Sequence, residues 1–108
     1  MIKLYRVVSQ QEKDDFDNQG QLRTGKNTLE AKQFFKSMEA IRQFVRRARQ
    51  QQYDPPYQYL FTINIDKKDF SNIPHESMPL DDYVAISIRE DNLLAFNNCI
   101  KFVKQEAL

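Results

Sequence analysis

The stretch Ile2-Lys3-Leu4-Tyr5-Arg6-Val7-Val8 alternates with a period of two, which sets Ile2, Leu4, Arg6 and Val8 on one face of a strand. Three of those four side chains are apolar. A guanidinium in such company is costly to bury unless an anion meets its fork of donors, so the strand implies a partner for Arg6. That partner is either a carboxylate of the chain, with Glu12, Glu30 and Asp82 as the candidates, or a bound ligand.

Working outward, Ser9 stands where a helix cap belongs and Glu12 follows at capping-box spacing, so a short polar helix runs to about Asn18. Gly20 is its stop, and Arg23-Thr24-Gly25-Lys26-Asn27 is loop chemistry that holds the second of the chain's two glycines. Ala31 to Lys36 reads as a short strand, and Ser37 caps the next helix. There Met38, Ile41, Phe44, Val45 and Ala48 recur at helical spacing, while Arg42, Arg46, Arg47 and Arg49 lie off that stripe and read as a solvated face.

Asp54-Pro55-Pro56 ends the helix, and Tyr57, Tyr59, Phe61, Ile63 and Ile65 alternate along one long strand. Residues 66–82 read as irregular, with Pro74 and Pro79 bracketing a surface loop at His75-Glu76-Ser77-Met78. Val84, Ile86 and Ile88 form another alternating strand, Asp91 to Phe96 a short helical turn, and Ile100 to Val103 a closing strand. This order is α+β over a single domain, residues 1–108, with too few helical crossovers for a doubly wound parallel sheet. A mostly antiparallel or split sheet is expected.

Sixteen basic and fifteen acidic residues leave a net charge of +1, which gives no general pull toward nucleic acid or an anionic membrane. The single Cys99 and single His75 offer neither a disulfide nor a metal-ligand spacing, so no metal is expected. Without an apolar run of membrane-spanning length or a signal-peptide pattern, the cytoplasm is the expected compartment.

Three groups of residues carry a likeness to a known family. They are Leu4-Tyr5-Arg6-Val7-Val8-Ser9 with Glu12, then Asn27-Thr28-Leu29-Glu30-Ala31-Lys32-Gln33-Phe34-Phe35, and finally Asp82-Tyr83-Val84 with Leu93-Leu94-Ala95-Phe96-Asn97. In this order they resemble ADP-ribosyltransferase-like domains, most of all the small domains at the C-terminal ends of polymorphic and Rhs-type bacterial toxins. The resemblance implies an ADP-ribosyltransferase-like split β-sheet with a few short helices, which clasps NAD and transfers ADP-ribose to a protein or other macromolecular acceptor as nicotinamide leaves. It also implies that the domain can be delivered into a target cell.

Carried over by position, the resemblance implies that Arg6 grips the dinucleotide's phosphate or ribose. Phe34 or Phe35 stacks on the nicotinamide, Thr28 or Ser37 supports the site by hydrogen bonding, and Asp82 stabilises the oxocarbenium-like charge. The family's acid is a glutamate, one methylene longer than Asp82, and a small shift of register would nominate Asp81, Glu76 or Glu90 instead. Ala31 stands where the family has glycine, and Gln33 where it has a bulky side chain. The shorter acid favours an alternative, a domain of the same fold that lacks turnover and serves as a binding or regulatory module.

Each of these residues also has an ordinary structural reading. Phe34 and Phe35 point to opposite faces of a strand, so at least one is core; Ser37 is a helix cap, Asp81-Asp82 are loop acids, and Cys99 is a small buried hydrophobe.

Overall fold

The computed structural model describes residues 1–23, 31–54, 56–80 and 83–108, with the side chains of Met78 and Leu80 left aside. Ten elements follow one another: β1 (Ile2–Val8), α1 (Gln10–Gln19), β2 (Ala31–Phe35), α2 (Met38–Gln50), β3 (Tyr59–Ile65), α3 (Lys67–Ser71), β4 (Glu76–Leu80), β5 (Tyr83–Arg89), α4 (Glu90–Cys99) and β6 (Ile100–Ala107). The strands form one six-stranded sheet in the order β4-β5-β2-β1-β3-β6, and every pairing is antiparallel.

Alternation along the strands sorts the core into two layers. On one face Leu4, Val8, Phe34, Phe61, Ile63, Ile65, Ile86 and Ile88 pack with Phe70 of α3, Leu93 and Phe96 of α4, and Phe16 of α1. On the other, Val7, Phe35, Leu60 and Ala85 pack with Ala40, Ile41 and Val45 of α2. Helices therefore cover both faces, and this explains why β3 buries Leu60 as well as the alternating Phe61, Ile63 and Ile65.

Local chemistry sets the helix ends. Ser9 Oγ accepts the Glu12 N–H, and Gly20 closes α1 at φ 70° with its N–H on Phe16 O, a left-handed position that favours glycine. Ser37 Oγ accepts the Ala40 N–H at 3.1 Å and starts α2. Arg42, Arg46, Arg47 and Arg49 are exposed, as expected of a solvated face.

Several expectations are corrected. The long strand begins at Tyr59 rather than Tyr57, while the last helix and the last strand extend past the expected Phe96 and Val103, to Cys99 and Ala107. Residues 66–82 are not irregular throughout: Asp66 Oδ1 accepts the Lys68 and Asp69 N–H groups to start α3, and β4 pairs with β5 from Glu76↔Ser87 to Leu80↔Tyr83. Pro79 is tolerated there because β4 is an edge strand and can place the missing N–H on its open side. No helix among the described residues is long and apolar enough to cross a membrane.

Candidate functional site

The sheet has one weak seam. The β1–β3 ladder runs the length of both strands, and β2–β5 runs from Ala31↔Arg89 to Phe35↔Ala85, but β1 and β2 meet only at Tyr5↔Phe35. Beyond that point the strands part, and Arg6 occupies the opening. Its Nη1 donates to the Gln33 carbonyl at 3.0 Å and so satisfies a β2 acceptor where a continuing ladder would have set Gln33 against Val7.

Two more donors of the Arg6 fork are held by a carboxylate of the chain itself. Nε donates to Glu12 Oε2 at 2.7 Å and Nη2 to Glu12 Oε1 at 2.7 Å, a bidentate pair reaching from the first turn of α1. Lys32 Nζ lies 3.3 Å from the same Oε1, and Lys32 is one of three buried polar residues among those described. Phe34 supports the guanidinium, whose carbon lies 5.8 Å from the ring centroid. Of the three internal partners the sequence offered, Glu12 is the one found; Glu30 and Asp82 lie outside the described residues.

Pairing explains why this cluster is tolerable. The Glu12 carboxylate meets both Arg6 and Lys32, and every polar atom buried in it has a partner. Burial raises the Glu12 pKa, but hydrogen bonds and charge from Arg6, joined by Lys32, outweigh it and hold the carboxyl below its ordinary value. Three of the five guanidinium N–H groups are used among the described residues, which leaves one on each Nη.

A groove of about 250 Å³ opens beside this cluster, lined by Arg6, Val7, Ala31, Gln33, Phe35, Phe44, Tyr53 and Tyr57. Its polar wall is the Arg6 end and its aromatic wall is Tyr53 and Tyr57, stacked with centroids 5.2 Å apart at 10°. Gln52, at φ 52°, turns the chain after α2 so that Tyr53 reaches this position, where it stays 52 % exposed. Burial, and after it the neighbouring Tyr53, pushes the Tyr57 hydroxyl up to about 12, so it is a proton-bearing donor at neutral pH.

The candidate residues separate in this setting. Arg6 and Phe35 line the groove together. Phe34 is fully buried against Phe96, with ring centroids 4.9 Å apart, and has no face open to a ligand, so its stacking role is withdrawn. The Ser37 hydroxyl is occupied as the α2 cap. Thr28 and Asp82, with Asp81, lie outside the described residues. Glu76 is exposed, 3.9 Å from Arg89, and Glu90 is exposed in the first turn of α4.

Three contributors were not singled out by the sequence, and a fourth, Gln33, only as a departure from the family's pattern. Lys32 shares the Phe34 face of its strand, so the period-two argument that isolates Arg6 applies equally to it. Gln33 contributes through its backbone, which carries no sequence signal, and Tyr53 and Tyr57 are united only by the turn at Gln52. Among the described residues, no group of His, Cys, Asp and Glu could hold a metal ion. In comparisons with protein families, with curated proteins and with solved structures, no match to this chain was found.

Proposed function

We propose that this chain is an ADP-ribosyltransferase-like domain of effector type that binds NAD in the groove at the β1–β2 seam and transfers ADP-ribose to a macromolecular acceptor. The observation that carries the reading is the parting of β1 from β2 directly after Tyr5↔Phe35, with Arg6 in the opening. It is the arrangement implied by a split sheet that clasps a dinucleotide with the arginine of its first strand.

The groove supplies matching chemistry. Two N–H groups of Arg6 suit a phosphate or ribose oxygen, and Phe35 with the Tyr53–Tyr57 pair offers flat apolar surface for a ring. A volume of about 250 Å³ suits the nicotinamide-ribose half of the dinucleotide rather than its whole length. In the reaction the bond from ribose C1′ to the nicotinamide nitrogen breaks, and nicotinamide leaves with the electron pair. An acceptor nucleophile then bonds to C1′ and gives up a proton. Asp82 is the proposed acid for the positive charge at C1′, and the acting compartment is the cytoplasm of a cell.

A second reading, NAD binding without turnover, is favoured by one observation: Glu12 already holds Arg6 through two short bonds and partly cancels its charge. The two readings separate in one experiment, which follows NAD affinity by calorimetry and nicotinamide release with a cell lysate as acceptor source. Transfer predicts release that falls at least tenfold in Arg6→Lys, which keeps a cation for Glu12 but loses the fork, and also in Asp82→Ala. Binding without release selects the second reading, and no NAD binding by the folded wild-type chain removes both.

A further inference from the structure

A separate groove of about 470 Å³ lies at the start of β1, the end of β2 and α3, lined by Ile2, Lys3, Lys36, Lys67, Phe70, Ser71 and His75. It shares no lining residue with the Arg6 groove. Three lysines far apart in sequence converge on it from three elements, and no carboxylate lines it. Lys13, Lys32, Lys101 and Lys104 each have a carboxylate partner, whereas Lys3, Lys36 and Lys67, like Lys68 outside the groove, have none among the described residues. In a chain of near-zero net charge, these are three uncompensated cations around one concavity.

The floor is as specific as the rim. Phe70 is buried, and the imidazole of His75 stacks on it with centroids 4.4 Å apart at 26°. His75 Nδ1 lies 2.7 Å from the Ile73 carbonyl, which can only accept, so Nδ1 carries the proton and Nε2 of the neutral ring is an acceptor. His75 is itself exposed. The groove thus joins cations for a phosphate with a braced aromatic face and an acceptor for an exocyclic amino group.

We propose that this groove is a nucleotide site, which takes the phosphate between Lys3, Lys36 and Lys67 and stacks the base on His75. The inference does not rest on the NAD reading, because it uses other residues and needs no reaction.

The test is amide chemical-shift titration of the ¹⁵N-labelled chain with adenosine monophosphate, with adenosine and inorganic phosphate as separate arms. The nucleotide should give saturable shifts at Lys3, Lys36, residues 67–71 and His75 at up to millimolar concentration, and each fragment should bind at least tenfold more weakly. Lys36→Gln with Lys67→Gln should weaken the nucleotide at least tenfold without moving the melting temperature, His75→Ala should weaken nucleotide but not phosphate, and Lys104→Gln should change nothing. The proposal is overturned if no saturable shift appears, if the paired lysine variant binds as the wild type does, or if the shifts fall at the Arg6 groove. Binding to phosphatidylserine vesicles without binding the nucleotide also overturns it, and would make the lysines a membrane contact.

Discussion

Glu12 grips Arg6 from a helix that starts only two residues after the strand bearing Arg6 ends, so a local turn at Ser9 assembles the ion pair that fills the seam between β1 and β2. The pair binds strand to helix and, through Nη1, strand to strand. Its loss acts on both.

Glu12→Gln keeps shape and removes charge, taking from Arg6 and Lys32 the carboxylate they share in a largely buried place. We expect a loss of about 1–3 kcal/mol in urea unfolding. Arg6→Lys should cost less, because Lys32 and Glu12 stay compensated. The reverse ranking would mean that the bond to Gln33 O outweighs the ion pair.

The same carboxyl sets an acid response. Its folded pKa lies below the ordinary value of about 4.5, so the stability it contributes is fully present above that value and is lost as pH falls through the lower, folded one. Asp15 and Asp17 are also lowered, by hydrogen bonds from Arg23 and Lys13, but both are on the surface and salt screens them. Unfolding curves between about pH 6 and pH 3 in about 0.5 M salt should keep the Glu12 part of the slope, and Glu12→Gln should flatten it.

Asn97 presents a third case. Its Oδ1 accepts the Leu22 N–H at 2.8 Å, and its Nδ2 donates to Leu22 O at 2.8 Å and to Leu93 O at 2.9 Å. Leu22 is buried and lies outside any strand, so this amide stands in for a sheet neighbour. Asn97→Ala should cost about 1–3 kcal/mol, and Asn97→Asp at least as much, because it turns a donor into a second acceptor facing carbonyls. Equal melting temperatures for Asn97→Asp and the wild type would contradict this account.

Gly20→Ala isolates backbone strain. A Cβ at this position would meet nothing within 4 Å, so the expected loss of about 1 kcal/mol comes from the left-handed φ alone. A melting-temperature drop well above that size would show that α1 transmits the strain to Glu12.

How far the sequence reaches is clear from these same residues. The strand of Arg6, the caps at Ser9 and Ser37 and the stop at Gly20 follow from local chemistry, and the structure has them where that chemistry puts them. The Glu12 pair was one of three open choices, because deciding among them needs the angle at which α1 folds back. The strand from Glu76 to Leu80 has no signal of its own: it holds Pro79 and lacks alternation, and it is a strand because β5 lies beside it. The groove was legible at Arg6 and Phe35 and, as departures from the family's pattern, at Ala31 and Gln33. Its remaining walls come from a backbone carbonyl and from two tyrosines brought together by a turn, which composition and spacing do not encode.

The order of the strands has a consequence for how the chain is made. The two earliest strands, β1 and β2, form the middle of the sheet, while β3 and β6 on one side and β5 and β4 on the other come later in sequence. As the chain leaves the ribosome, the two central strands therefore appear before either flank exists to cover them, and Leu22 waits for Asn97, 75 residues on. A half-synthesised chain is a pair of open sheet edges in search of neighbours. The sequence gap between centre and rim leaves β1 and β2 with open edges until β3 and β5 lie beside them.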